Sequence, residues 1–395
     1  MDALSDVVDL SEERFGQGVP FDTFAKLRST APIWWSERDQ CWVVTSYDLV
    51  EEVNRDFTTF SSAGGPIPPD DPGHPELPIM LADDPPVHTM YRRLVSRNWT
   101  PRAALTQTSL VADTVAEVVD AFVKKGGGDF VDEVAAPIPF RIIAAIVGIP
   151  AADAPALGAW TNALMPSKDP EYRRDPDAPL KANRALDAYF GDLLEDHRTS
   201  PREDLCGALL GLRKADGEPL DERELRDFLA LFITGGSETT RHLLSHTILA
   251  LTEAPGERKR LVEGDVDAAT AVEEMLRWST PVLHHSRWAT ADVEVGGQLV
   301  RKGQRLTLWM ISANHDESVF EDPLRLDLGR RPNPHISFGG GGPHFCLGAH
   351  VARLEAVQTF ERLRPILGSI ELVGPPERIW TNFLNGIKRM PVTLS

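Results

Sequence analysis

Cysteine is scarce in this chain: Cys41, Cys206 and Cys346 are odd in number and far apart. That spacing suits a reducing compartment and argues against a disulfide framework, and it leaves Cys41 and Cys206 as inert thiols. Positive charge is also lacking. A formal net charge of −18 does not provide the basic footprint that nucleic-acid phosphates require. The first thirty residues hold no apolar run long enough for a signal peptide or a membrane span, so a free soluble terminus, a cytoplasmic location and no membrane partner are expected. Low-complexity linkers and internal repeats are missing too, and the 395 residues read as one domain, 1–395.

What the chain does have is an unusual loop, Phe338-Gly339-Gly340-Gly341-Gly342-Pro343-His344-Phe345-Cys346-Leu347-Gly348. Leu347, Val351 and Leu354 then repeat at helical spacing. Cys346 is thereby expected at the start of a helix, where free N–H groups and the positive dipole end favour a thiolate, a good iron ligand. Consecutive glycines cost backbone entropy, and their use is to let a backbone pass close to something large and flat. A phosphate-cradling loop also places glycines before a helix, but neither GxxxxGK[ST] nor GxGxxG surrounds these residues. A buried structural cysteine after a plain turn is the remaining alternative for a lone thiol.

In chain order, Pro32–Trp35 and Cys41–Thr45 read as two strands around a polar turn, followed by helical spacing from Tyr47 to Val53. Ser61–Pro86 carries eight prolines, which forbid regular structure; a loop of that length is commonly a lid or binding segment. His88 and Arg92 lie four apart, share a helical face, and can both donate to an anion. Ala103–Ile149 reads as helical packing broken at Gly126–Gly128, and the polar Met165–Pro179 stretch as a connection to a helix over Ala182–His197.

A helical stripe runs without proline from Asp221 to Glu253, long enough to cross a whole domain. Its centre is poorly built for a helix. Gly235-Gly236 and Thr239-Thr240 replace good helix formers there, which predicts a kink or opened hydrogen bond where a ligand approaches the backbone. His242 and His246 have the spacing of zinc ligands, but Leu243 stands where the base of HExxH belongs, and they are expected to be ordinary helix-face residues. Glu274 and Arg277 form an i, i+3 pair that would usually be a weak surface bridge. Val293–Val300 and Arg305–Trp309 alternate enough to make a second β region.

Taken together these motifs resemble the cytochrome P450 family over most of the chain, from about Trp34 to Lys388. The loop matches at Phe338, Gly342, His344, Cys346 and Gly348, with Phe338 one residue further from the cysteine than in the commonest form. A bacterial branch acting on sterols and branched lipids shares that longer loop. The resemblance implies a mainly α fold with small β regions (α+β), a long central helix over haem b (iron protoporphyrin IX) and the cysteine loop below it. It also implies that Cys346 is the iron ligand and that His88, Arg92, Arg287 and His344 anchor the propionates. Within Gly235-Gly236-Ser237-Glu238-Thr239-Thr240, Thr239 would position dioxygen and its water while Glu238 feeds protons toward them.

By the same resemblance Glu274, Arg277 and Arg330 form a buried scaffold behind the loop, although Leu326 replaces the customary aromatic residue. The Ser61–Pro86 loop and the helices flanking Met165–Pro179 would cover the substrate pocket, and Thr381–Lys388 would supply its last lining turn. Pro281–His285 would pass beside the haem, with His284 and His285 meeting either a polar group of the substrate or solvent and propionate. The activity implied is insertion of one oxygen atom from O2 into a small organic substrate such as a sterol, terpenoid, lipid or secondary metabolite. Electrons would come from a separate ferredoxin and ferredoxin reductase. Peroxide-driven turnover, or a haem sensor or carrier without turnover, are the alternatives.

Overall fold

The computed structural model describes residues 8–65, 79–165 and 167–395, and the fold is built around one helix, Glu222–Glu253. Asp221 starts it with a reciprocal cap: its carboxylate accepts the Glu224 N–H at 2.8 Å, and the Glu224 carboxylate accepts the Asp221 N–H at 2.7 Å. Both orphan donors are thereby satisfied. At 32 residues it is about 48 Å long.

Two apolar cores divide this helix between them. Its first half, through Ile233, packs with the helices Pro137–Val147, Ala178–Thr199 and Leu205–Leu210. Its second half, from Leu243, packs with Thr108–Lys125, Ala268–Ser279 and Ala349–Leu363. Residues 234–242 belong to neither core, and there the helix borders a cavity.

The weak centre proves to be a packing device. The helix is continuous through it. The hydroxyls of Thr234, Ser237 and Thr239 return to the carbonyls of Ala230, Ile233 and Gly235 at 2.7, 2.7 and 3.1 Å, adding a second donor to each carbonyl. Gly236 is small because a Cβ there would lie 2.9 Å from the Ile143 side chain of the crossing helix. Gly235 meets nothing within 4 Å and borders the cavity.

The expected hairpin is present as Ile33–Ser36 and Cys41–Val44. The second β region divides, and only its later strand joins the hairpin. Arg305–Leu308 pairs in parallel with Cys41–Val44, and His285–Ala289 and Phe60–Ser61 complete one five-stranded sheet. Val293–Val295 and Gln298–Val300 form their own small hairpin. A three-stranded sheet joins Gly127–Asp129, Pro391–Leu394 and Ile370–Leu372.

Behind the cysteine loop, Arg277 and Glu274 are fully buried and joined by two bonds of 2.8 Å. Arg330 adds its Nε at 3.1 Å, and Leu326 is buried in the core. Arg277 also donates to the Asn314 carbonyl at 2.8 Å, and the Asn314 amide bonds Ser337 Oγ at 2.8 Å. The ion pair thus reaches the residue that precedes Phe338, which is how it positions the loop.

Candidate active site

The Cys346 N–H donates to the Phe338 carbonyl at 2.9 Å and closes the loop. Gly339 to Gly342 all have positive φ, from 59° to 104°, a region closed to most side chains. Their small size also serves a protein neighbour. A Cβ on Gly342 would lie 2.8 Å from the Asn54 carbonyl, and one on Gly341 3.3 Å from Arg55, so these glycines press against the end of the helix Tyr47–Arg55. Of the four, only Gly339 borders the cavity.

Cys346 stands three residues before the helix Ala349–Leu363, whose cap is Gly348. Its accessible surface faces the cavity. Burial raises the pKa of the thiol, against opposing contributions from the Gly348 N–H, Arg92 and Arg353. Arg353 lies 4.4 Å over the Phe338 ring and pairs with Glu273 at 2.7 Å, pinning the loop from outside.

The cavity, of about 510 Å³, brings together every site residue picked out by sequence: His88, Arg92, Glu238, Thr239, Arg287, His344 and Cys346. Most of its exposed wall is apolar, with Met80, Trp99, Leu164, Val282, Leu231 and Phe383 among the contributors. Met80 and Leu81 come from the described end of the Ser61–Pro86 loop; residues 66–78 lie outside the described residues. Phe383 and Leu384 come from the expected terminal turn.

Two cations in this wall have no carboxylate partner among the described residues. Arg287 donates to the Ser286 carbonyl and to Asn54 Oδ1, both at 2.9 Å. Burial lowers its pKa to about 10, with only the Asp84 charge opposing. Arg92 donates to the Phe345 carbonyl at 2.6 Å and is likewise lowered by burial. The His88 and His344 rings lie 4.1 Å apart, and His88 Nδ1 and His344 Nε2 are buried without partners. Burial lowers the pKa of His88 and takes that of His344 to about 3, which disfavours the charged imidazole and leaves the two arginines as the main source of positive charge. A buried and a half-buried guanidinium without carboxylate partners, orphaned imidazole nitrogens and a thiol on one cavity form a donor set that fits a large dianionic metal cofactor.

The two sequence-neighbouring histidines part company. His285 borders the cavity and bonds Asn54 Oδ1 at 3.0 Å. His284 faces neither cavity nor solvent; it is buried 4.4 Å from the Trp309 ring. Sequence reasoning missed Asn54, which holds His285, Arg287 and the carbonyls of Gly339 and Gly341. Nothing in its helical context marks it out. Glu355 was also missed: it is buried on the cavity wall, one carboxyl oxygen has no partner, and burial raises its pKa well above the ordinary range. Cys41 and Cys206 are buried elsewhere, with pKa values raised by burial, Cys206 to about 12.

Residues 268–363 match the family model described as cytochrome P450. A methyl-branched lipid omega-hydroxylase of Mycobacterium tuberculosis is 37% identical, over 94% of this chain and 90% of the relative. The chain belongs to the cytochrome P450 family. As a P450 it is a haem-dependent monooxygenase, an oxidoreductase. A steroid C26-monooxygenase of Rhodococcus jostii is 34% identical over 96% of this chain and 82% of the relative. A solved cytochrome P450 of Mycobacterium marinum, in complex with pseudoionone, superposes with a TM-score of 0.90 at 35% identity, covering 98% of each chain. CYP109E1 of Bacillus megaterium, in complex with testosterone, gives 0.86 at 30% identity over 97% of this P450 and 99% of that chain. Among the described residues no helix is long and apolar enough to cross a membrane.

Proposed function

We propose that this P450 is a haem-thiolate enzyme of one catalytic domain that hydroxylates an apolar, branched lipid or sterol-like substrate, held beside Glu238 and Thr239 in the cavity that Cys346 also lines. Haem b, with a cysteine thiolate on its iron, supplies activation of dioxygen and cleavage of its O–O bond. Cys346 is the residue that would hold the iron; a metal-bound thiol is deprotonated outright, which overcomes the burial that raises it here. Arg92 and Arg287 would hold the two propionates through charge-assisted hydrogen bonds, and the orphaned nitrogens of His88 and His344 would add neutral ones.

The observation that carries this reading is the meeting of an uncompensated pair of arginines with Cys346, Glu238 and Thr239 on one mainly apolar wall. Thr239 spends its hydroxyl proton on the Gly235 carbonyl, so an oxygen lone pair remains to accept a bond from the cavity. Glu238 is 13% exposed there and can give up a proton at its carboxyl and take one back. The apolar wall excludes water and selects a substrate by shape and hydrophobic burial. Relatives named for lipid and steroid hydroxylation, and a neighbour holding pseudoionone, support the same substrate class. Electrons would come from a separate ferredoxin and ferredoxin reductase, and the enzyme would work in the cytoplasm.

Titrating the haem-loaded protein with methyl-branched fatty acids, sterols and unbranched controls tests the proposal. Saturable spectral shifts and hydroxylated product with the branched or sterol compounds are expected. A preference for the unbranched controls would contradict the substrate class.

A further inference from the structure

The acid of the cavity wall is tied to the segment that roofs the cavity through one side chain, Arg241. Three residues after Glu238 on the long helix, Arg241 is not itself among the residues bordering the cavity. Its side chain is only 4% exposed. Nη1 donates to Glu238 Oε2 at 3.3 Å and to Asn162 Oδ1 at 2.7 Å. Asn162 belongs to the helix Ala154–Leu164. The Tyr172 side chain, from the loop 167–177 that leads on to the helix Ala178–Thr199, meets the same guanidinium. This segment is part of the cavity wall, since Leu164, Met165 and Asn183 border the cavity at its two ends.

A buried guanidinium requires a counter-charge. Burial works against the Arg241 cation, and Glu238, backed by Tyr172 and Asp132, outweighs it. The loop has other fastenings at the far end of the chain, where Lys388 meets Asp169 and Glu171 at 3.1 Å each and Arg389 grips Glu171. Those hold the loop to the strand Ile387–Arg389. Among the ties found in the described residues, the one through Arg241 ends on a carboxylate that borders the cavity.

We infer that Arg241 is a positioning residue that orients the Glu238 carboxyl according to whether the helix 154–164 and the loop 167–177 are seated on it. With both seated, Asn162 and Tyr172 fix the guanidinium and the carboxyl with it. With both lifted, Arg241 loses those two partners and moves with its carboxylate. His242 then becomes the competing anchor: its Nε2 is 3.8 Å from the same Glu238 oxygen, and both its ring nitrogens are buried without partners. The inference rests on the proposed role of Glu238 as proton donor. It makes that role conditional on a closed roof.

A coupling of this kind is reciprocal, so each end can be tested from the other. Hydrogen–deuterium exchange of the haem-loaded protein compares wild type with Glu238→Gln, which keeps the shape of the acid and removes its charge. Amides in 167–177 should exchange about fivefold faster, at the lower end of ordinary coupling between sites, while Ile387–Arg389 is unchanged. Unchanged exchange in 167–177 overturns the tie. In the other direction, Asn162→Ala with Tyr172→Phe should raise peroxide and lower product per NADH with a methyl-branched fatty acid as probe and surrogate electron donors, at unaltered haem content. Unchanged coupling in that variant, where Glu238→Gln itself uncouples, also overturns the tie. If Glu238→Gln loosens the loop yet couples like wild type, the proton-donor role fails and the tie to the roof stands.

Discussion

The guanidinium of Arg277 faces both oxygens of Glu274 through two bonds of 2.8 Å, and neither side chain reaches solvent. Removing one partner leaves the other as an uncompensated buried charge, which costs about 3–5 kcal/mol. Because Asn314 carries this pair's position to Ser337, Arg277→Ala should give insoluble or haem-poor protein with a lowered melting temperature. Full haem content and an unchanged melting temperature would return the pair to the role of a minor bridge.

Cys346 is the thiol on the cavity wall, while Cys41 and Cys206 are buried away from it. The reduced protein with carbon monoxide should therefore show the red-shifted Soret band of thiolate ligation. Cys346→Ser should abolish that band. Its survival in the variant would move the ligand to another cysteine.

Buried histidines make the fold sensitive to mild acid. Burial takes His246 and His284 to about 3 and holds His242, His285 and His315 well below their ordinary value. Above about pH 6.5 these groups are neutral in folded and unfolded chains alike and contribute no pH dependence. Below it the unfolded chain binds protons that the folded one refuses, so stability falls as pH drops from about 6.5 toward 3, by up to about 1.4 kcal/mol per pH unit for each histidine. Denaturant midpoints at pH 7 and 5.5 should separate less in His284→Phe than in wild type. An equal separation would mean that His284 is protonated in the folded protein.

Thr239 carries a helix penalty that packing alone does not repay, and its hydroxyl has a lone pair to spare beside Glu238. Thr239→Ala should keep the thiolate spectrum and the substrate-induced spectral shifts, with less product and more peroxide per NADH consumed. Unchanged coupling with altered stability would reduce Thr239 to a packing residue.

The local parts of this fold were legible because their signals are periodic or covalently close. The stripe Asp221–Glu253, the His88/Arg92 pair and the Glu274/Arg277 pair all lie within one helix each, and each forms where expected. Cys346 and its loop were legible through their residue types, but the protein contact of the glycines was not. Gly342 is small because of the Asn54 carbonyl, nearly three hundred residues away in sequence. The parallel pairing of Cys41–Val44 with Arg305–Leu308 is equally remote, and no pattern within either strand specifies its partner. Burial was not legible for the same reason: packing from distant segments lowers the pKa of His88 and His344, and no local pattern announces it.

The origin of the inserted oxygen tests the account most directly. Haem-loaded protein, surrogate ferredoxin and reductase, NADH and a methyl-branched fatty acid are incubated under isotopically labelled dioxygen, and the product is weighed by mass spectrometry. One labelled oxygen atom per hydroxylated product is expected, with the label lost in Cys346→Ser because no product forms. Product whose oxygen comes from water, or product formed equally well without Cys346, would contradict the monooxygenase reading of this cavity.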